Sequence, residues 1–169
     1  MLELLPSTRA APPRHALPSL LERSLWAGLV SFAAVTGLLL GIGRRSGTPW
    51  RTLNAAAHLI IDGRADGVWN FQSDVTPVGC VVVLALSMLA GFFVTCVTAS
   101  RRTPYVVLVA GMVALLGYVL HMQVAARSPG GLAGLLSVGE LRALYATLGV
   151  ALVVGIRLAF HPGEGARRR

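Results

Sequence analysis

Four long apolar segments, separated by short charged stretches, dominate this amino-acid sequence. Charged residues make up 13% of the chain, about half the share of roughly 25% that soluble proteins carry. The hydrocarbon core of a bilayer is about 30 Å thick and needs about 20 apolar residues per helix. The sequence therefore predicts an all-α integral membrane bundle of four transmembrane helices, at about 20–43, 77–98, 104–126 and 138–160.

Helix-capping patterns stand at the start of all four segments. Ser19-Leu-Leu-Glu22 and Ser137-Val-Gly-Glu140 match the capping box, in which serine and glutamate side chains satisfy exposed main-chain amides. Thr76-Pro77 and Thr103-Pro104 place proline at the first helical position, where its missing N–H is not needed. These local signals agree with the apolar segments and support the same four helices.

Three segments lie outside the predicted spans: an arm at 1–18, a loop at 44–76 and a basic tail at 162–169. Four spans place the arm, the tail and the turn between the second and third helices on one side. That side carries nine arginines, and the other side carries six. Because cytoplasmic segments are enriched in basic residues, we expect both termini in the cytoplasm and the chain in a bacterial inner membrane.

The outer loop contains a segment, Trp50–Ile61, whose apolar residues recur near helical spacing. Its polar residues Asn54 and His58 fall mainly on other faces. We therefore expect an interfacial helix in the first outer loop, lying in the headgroup plane. Aromatic side chains favour this depth, and the expected interfacial anchors are Trp50, Trp69 and Phe71.

All 15 basic residues of the chain are arginine. The planar guanidinium group pairs with phosphate through two hydrogen bonds, and most of these arginines lie at the helix ends, as is usual in membrane proteins. We therefore expect anionic lipids, and no nucleic acid, as partners. The arginines expected to reach lipid headgroups are Arg44, Arg45, Arg101, Arg102 and Arg157.

Small residues recur at four-residue spacing on every predicted helix. Such spacing lets helix backbones approach closely, which drives association where lipid removes the hydrophobic force. The stripes could serve packing within the bundle or docking to a partner, and the sequence leaves both open. The predicted helix-packing residues are Ala33, Gly37, Gly41, Ser87, Gly91, Ala110, Ala114, Ala151 and Gly155.

Tyr118 and His121 lie one turn apart, toward the outer end of the third predicted helix. Polar and ionisable groups inside membrane helices often mark functional sites. We therefore consider this pair a possible contact for a ligand such as a quinone or a pigment. The alternative is a polar pair at the interface, or a hydrogen bond to a neighbouring helix.

The cysteines and histidines predict no cofactor. Cys80 and Cys96 fall on nearly opposite faces of one helix, so they form no redox pair. A haem would need two histidines at matching depth on facing elements. His58 with His121 is the one possible pair, and it requires the interfacial helix to fold over the third helix.

The loop carboxylates Asp62, Asp66 and Asp74 lack the spacing of a calcium-binding loop. We predict no metal site and no catalytic residue, and we do not expect an enzyme. The sequence favours a non-catalytic accessory or structural subunit of a larger bacterial membrane complex, of respiratory or photosynthetic type, with other integral membrane subunits as partners. The alternative is a small oligomeric transporter or channel. A membrane enzyme that uses His58 and the three aspartates is a third hypothesis.

Overall fold

The computed structural model describes residues 20–65, 67–98, 103–127 and 131–159. Every regular element in these ranges is a helix. The long helices are α1 (Leu20–Arg45), α4 (Thr76–Thr98), α5 (Thr103–Arg127) and α7 (Val138–Ala159). The short elements are α2 (Arg51–Ala56), α3 (His58–Ile61), a 3-10 turn (Asp62–Ala65) and α6 (Gly131–Leu135).

The four predicted long helices are confirmed, and each is long and apolar enough to cross a membrane. Their starts follow the capping signals. Helices α4 and α5 begin at the threonine before proline. The capping box of α7 forms as expected: the Glu140 carboxylate accepts hydrogen bonds from the Ser137 amide and hydroxyl at 2.9 and 2.8 Å, and the Glu140 amide donates to the Ser137 hydroxyl at 3.3 Å. The predicted arm at 1–18 and tail at 162–169 lie outside the described residues.

Helix α1 is the centre of the bundle. It packs along most of its length against α4 on one side and α7 on the other, and α7 packs in turn against α5. Helices α4 and α5 follow one another in the chain but share a much smaller contact. The bundle therefore has a loose seam between α4 and α5.

Glycines set the close approach of α1 to its two neighbours. A β-carbon on Gly91 of α4 would lie 2.7 Å from the main-chain nitrogen of Gly28, and one on Gly155 of α7 would lie 2.6 Å from the α-carbon of Ala27. Real β-carbons do not come this close to backbone atoms, so only glycine fits at these two positions. Adjacent residues of α1 thus receive a glycine from each of the two helices.

The segment between α1 and α4 folds over one end of the bundle, which we call the loop end. Residues 52–57 are all buried, and α2 packs against α1, α4 and α6. The Thr52 hydroxyl donates to the main-chain carbonyl of Leu39 at 2.7 Å. Leu53 and Ala56 join the same hydrophobic core as Leu39 and Val83. This segment is therefore part of the core of the bundle.

A network centred on Asn54 holds the segment closed. Its amide nitrogen donates to the main-chain carbonyls of Val68 and Asn70 at 3.0 and 2.9 Å, and its amide oxygen accepts from the Thr76 hydroxyl at 2.7 Å. Asn54 is 0% exposed. The predicted helix over Trp50–Ile61 is divided into two short helices, α2 and α3, and the Asn54 side chain, expected on a face away from the apolar residues, finds its partners inside the loop. That this segment lies in the headgroup plane stays a prediction.

Candidate functional site

The predicted packing residues fall into two groups. Those on α4, α5 and α7 are buried, whereas those on α1, Ala33, Gly37 and Gly41, are exposed. A β-carbon at Gly37 or Gly41 would meet nothing within 4 Å. The buried members are Ser87, Gly91, Ala110, Ala114, Ala151 and Gly155.

The exposed small residues of α1 continue a longer row of exposed residues spaced four apart. In the first half of α1 the row consists of the exposed leucines Leu21, Leu25 and Leu29. In the second half it consists of Ala33, Gly37 and Gly41, which we call the α1 furrow. Residues four apart form the ridges that helices use to pack. The row therefore protrudes as leucine side chains in the first half of α1 and forms a shallow groove of small residues in the second half, near the loop end.

A cavity of about 360 Å³ lies at the loop end between α4 and α5. Its inner wall is formed by buried residues of α1, α4 and α7, including Leu39, Val83 and Leu144, and α2 and α6 close it at the loop end. Its outer rim consists of Leu59, Leu86 and Leu120, which are 69, 54 and 56% exposed. The cavity therefore opens sideways through the loose seam between the two helices.

The most polar part of the cavity wall is a hydrogen-bonded pair, His121 and Tyr145. The Nδ1 atom of His121 lies 3.0 Å from the Tyr145 hydroxyl, and their rings meet edge to face with centroids 5.8 Å apart. Ser87 and His58 also line the cavity. Sequence reasoning paired His121 with Tyr118, but its hydrogen-bond partner is Tyr145 on the neighbouring helix.

Tyr118 packs against the Tyr145 ring of the His121–Tyr145 pair. Its ring packs edge to face against Tyr145 with centroids 6.1 Å apart, and it lines the separate groove between α5 and α7 and not the cavity. Gly117 is equally important, because a β-carbon there would lie 2.6 Å from Cε1 of Tyr145. Gly117, Tyr118 and His121 thus form a seat on α5 for the Tyr145 ring. No signal in the sequence distinguished Tyr145 from other tyrosines near helix ends.

The candidate groups of the loop do not converge into one site. Nε2 of His58 lies 3.4 Å from the exposed carboxylate of Asp62, and Asp74 is also exposed. Asp66 lies outside the described residues. Within the ranges that the structure describes, no group of three histidines, cysteines or carboxylates could hold a metal ion.

The predicted aromatic anchors contact other loop residues. Trp50 packs edge to face against Phe71 with centroids 5.4 Å apart, and the guanidinium of Arg51 lies 4.5 Å from the ring centroid of Trp69. Arg44 and Arg45 are exposed in the last turn of α1, and Arg157 is half-buried in the last turn of α7. Arg101 and Arg102 lie outside the described residues.

The chain was compared with protein-family models, with curated proteins and with solved structures. None of the three comparisons finds a match.

Proposed function

We propose that this chain is a non-catalytic accessory subunit of a larger complex in a bacterial inner membrane, of respiratory or photosynthetic type. It would span the membrane with its four long helices and dock to another integral membrane subunit. The observation that carries the proposal is the exposed α1 furrow: Ala33, Gly37 and Gly41 are open although the equivalent small residues of the other helices are buried.

Glycine in a helix interior costs about 1 kcal/mol relative to alanine. Gly91 and Gly155 offset that cost by letting α4 and α7 approach α1, but Gly37 and Gly41 serve no such contact among the residues that the structure describes. In a bilayer, small residues at this spacing let a second helix come within backbone distance. A partner helix lying in the furrow would give the two glycines the same role that Gly91 and Gly155 have inside the bundle.

The shape of the α1 row also fits a partner helix better than it fits lipid. The leucines of the first half would pack around a crossing helix, and the furrow would receive it where the two backbones come closest. Arg44 and Arg45 follow the furrow at the end of α1. There they would bind lipid phosphate groups at the headgroup level and hold the contact at a fixed depth.

The test replaces the furrow glycines with leucine and identifies the proteins that still co-purify with the chain. Protein carrying a C-terminal tag is extracted from its native membranes in a mild detergent, purified and analysed by mass spectrometry. We expect a stoichiometric set of partner subunits with the unchanged chain, and their loss in Gly37→Leu and Gly41→Leu. The matched control is Gly111→Leu on α5, an exposed glycine whose β-carbon would also meet nothing within 4 Å.

A clean homo-oligomer, with no other subunit, would contradict the accessory-subunit proposal. It would instead favour the small oligomeric transporter or channel, with the furrow joining copies of the chain. Equal retention of partners by Gly37→Leu and the Gly111→Leu control would show that the complex forms through another face.

A further inference from the structure

We infer that the cavity between α4 and α5 is a binding site for a neutral amphiphile, a molecule with an apolar chain and a head group bearing a carbonyl or hydroxyl oxygen. The inference is independent of the docking role of the furrow. It rests on three features of the cavity: its lining, its opening and the hydrogen-bonding pair in its wall.

The apolar lining of the cavity favours an apolar ligand. The volume of about 360 Å³ falls at the lower end of the 300–1,000 Å³ range of small-molecule pockets. Buried aliphatic side chains such as Leu39, Val83 and Leu144 form the inner wall. A cavity of this kind holds water poorly because it offers few hydrogen-bond partners, whereas apolar ligands fill such cavities readily.

The opening indicates the route by which the guest arrives. The rim residues Leu59, Leu86 and Leu120 are apolar and exposed, and two of them lie on helices that are long enough to cross a membrane. At the loop end, α2 and α6 cover the cavity with residues such as the buried Ala56. Entry through the seam would therefore be from the hydrocarbon region, which suits a molecule that partitions into lipid.

The pair of His121 and Tyr145 indicates the head group. If Tyr145 donates its hydroxyl proton to Nδ1, then Nε2 of His121 carries a proton and can donate. If Nδ1 is protonated and donates to the Tyr145 oxygen, the tyrosine hydroxyl remains able to donate. In either arrangement the pair keeps one donor and one acceptor for a guest. A quinone carbonyl can accept from this donor, and an alcohol can use both groups.

The pair is also held in place, as a specific polar site requires. Gly117 leaves room for the Tyr145 ring, and Tyr118 packs against its edge. The hydroxyl is thereby fixed 3.0 Å from His121. A phenylalanine ring would fill the same space, so a role in packing alone leaves the Tyr145 hydroxyl and its hydrogen bond to His121 unexplained.

Photoaffinity labelling in lipid nanodiscs tests the site. The probe is a long-chain alcohol with a diazirine in the chain, and the control probe is the same hydrocarbon without the hydroxyl. Labelled peptides are mapped by mass spectrometry. We expect the alcohol to label residues 82–87 of α4 and 117–121 of α5, and the hydrocarbon to label them several-fold less.

Substitutions separate head-group binding from simple partition. We expect Tyr145→Phe to reduce labelling by the alcohol roughly three- to tenfold, the effect of one neutral hydrogen bond, and Leu86→Trp to reduce it by filling the rim. Tyr118→Phe is the matched control, since it also removes a tyrosine hydroxyl from this cluster but one outside the cavity. Thermal unfolding of each variant verifies that the bundle is intact.

Competition by unlabelled compounds against the photoaffinity probe identifies the chemical class of the natural ligand. Decylubiquinone presents carbonyl oxygens and farnesol presents a hydroxyl, so displacement by the first indicates a quinone and displacement by the second an isoprenoid alcohol. The inference would be overturned by equal labelling with the hydrocarbon probe, by unchanged labelling of Tyr145→Phe, or by the failure of both competitors. None of these outcomes depends on whether the furrow binds a partner subunit.

Discussion

The main-chain nitrogen of Gly28 lies where a β-carbon on Gly91 would be only 2.7 Å away, so α1 and α4 touch backbone to backbone at this pair. We predict that Gly91→Ala separates the two helices and lowers the free energy of unfolding by about 1–3 kcal/mol, the usual cost of overpacking a core. Unfolding in detergent, followed by circular dichroism, measures the change. Gly37→Ala is the control, because its methyl group would meet nothing within 4 Å. Equal midpoints for the two variants would contradict the close approach.

A second glycine controls the docking of the loop onto the bundle. A β-carbon on Gly79 would collide with the main-chain carbonyl oxygen of Leu53 and lie 2.8 Å from its carbonyl carbon. We predict that Gly79→Ala lifts α2 away from α4 and raises hydrogen exchange across residues 51–57, while exchange within the long helices changes little. Gly63→Ala is the loop control, since nothing lies within 4 Å of its β-carbon. Unchanged exchange in Gly79→Ala would show that α2 can shift without loss of contact.

The Asn54 network predicts a large effect from a single side chain. Asn54→Ala removes three hydrogen bonds and leaves the carbonyls of Val68 and Asn70 without their donor. The buried Thr76 hydroxyl also loses its acceptor. Since an unsatisfied buried group costs about 1–3 kcal/mol, we expect a loss of roughly 2–4 kcal/mol and faster proteolysis of the loop. Asn70→Ala is the matched control, because its main-chain carbonyl stays in place. A loop equally resistant in both variants would exclude this role.

The capping box of α7 predicts a coupled pair of substitutions. Ser137→Ala and Glu140→Ala each remove one half of a reciprocal set of hydrogen bonds, and each should cost about 0.5–2 kcal/mol. The double variant should lose less than the sum of the two single losses, because each residue depends on the other. A double-mutant cycle of unfolding free energies measures this coupling. Strict additivity would mean that the two side chains act separately.

Local signals in the sequence located the long helices almost to the residue. The predicted span 77–98 is α4 (Thr76–Thr98), and the predicted span 138–160 is α7 (Val138–Ala159). This accuracy has a physical reason: proline after threonine, or serine three residues before glutamate, fixes a helix start through neighbouring atoms alone. The length of each apolar segment then sets where the helix ends.

Which face of each helix is buried depends on its neighbours, and no local signal determines it. Helix α1 carries two rows of small residues, one through Ser24, Gly28 and Ser31 and one through Gly37 and Gly41. Only the first row is buried within the chain. The sequence pattern favoured the second row because it contains the more familiar glycine spacing.

The sequence also could not predict which side chains on different helices form hydrogen bonds with one another. Tyr145 is separated from His121 by 24 residues, and the hydrogen bond between them exists only because α5 packs against α7. The three partners of Asn54 could not be predicted for the same reason, since they lie 14 to 22 residues away in the chain. A buried amide can be recognised only when the groups that satisfy it are known.

The burial of α2 has a consequence for the order in which the protein assembles. Residues of α2 are synthesised before α4 and α6, yet they pack against both. The partners of the Asn54 amide lie at Val68, Asn70 and Thr76, so this network can form as soon as α4 begins, but α2 cannot complete its packing until α6 (Gly131–Leu135) has been made. Closure of the loop is then a late event in biogenesis, one that takes place only after most of the chain has been made. A loop that resists protease would mark molecules whose assembly is complete.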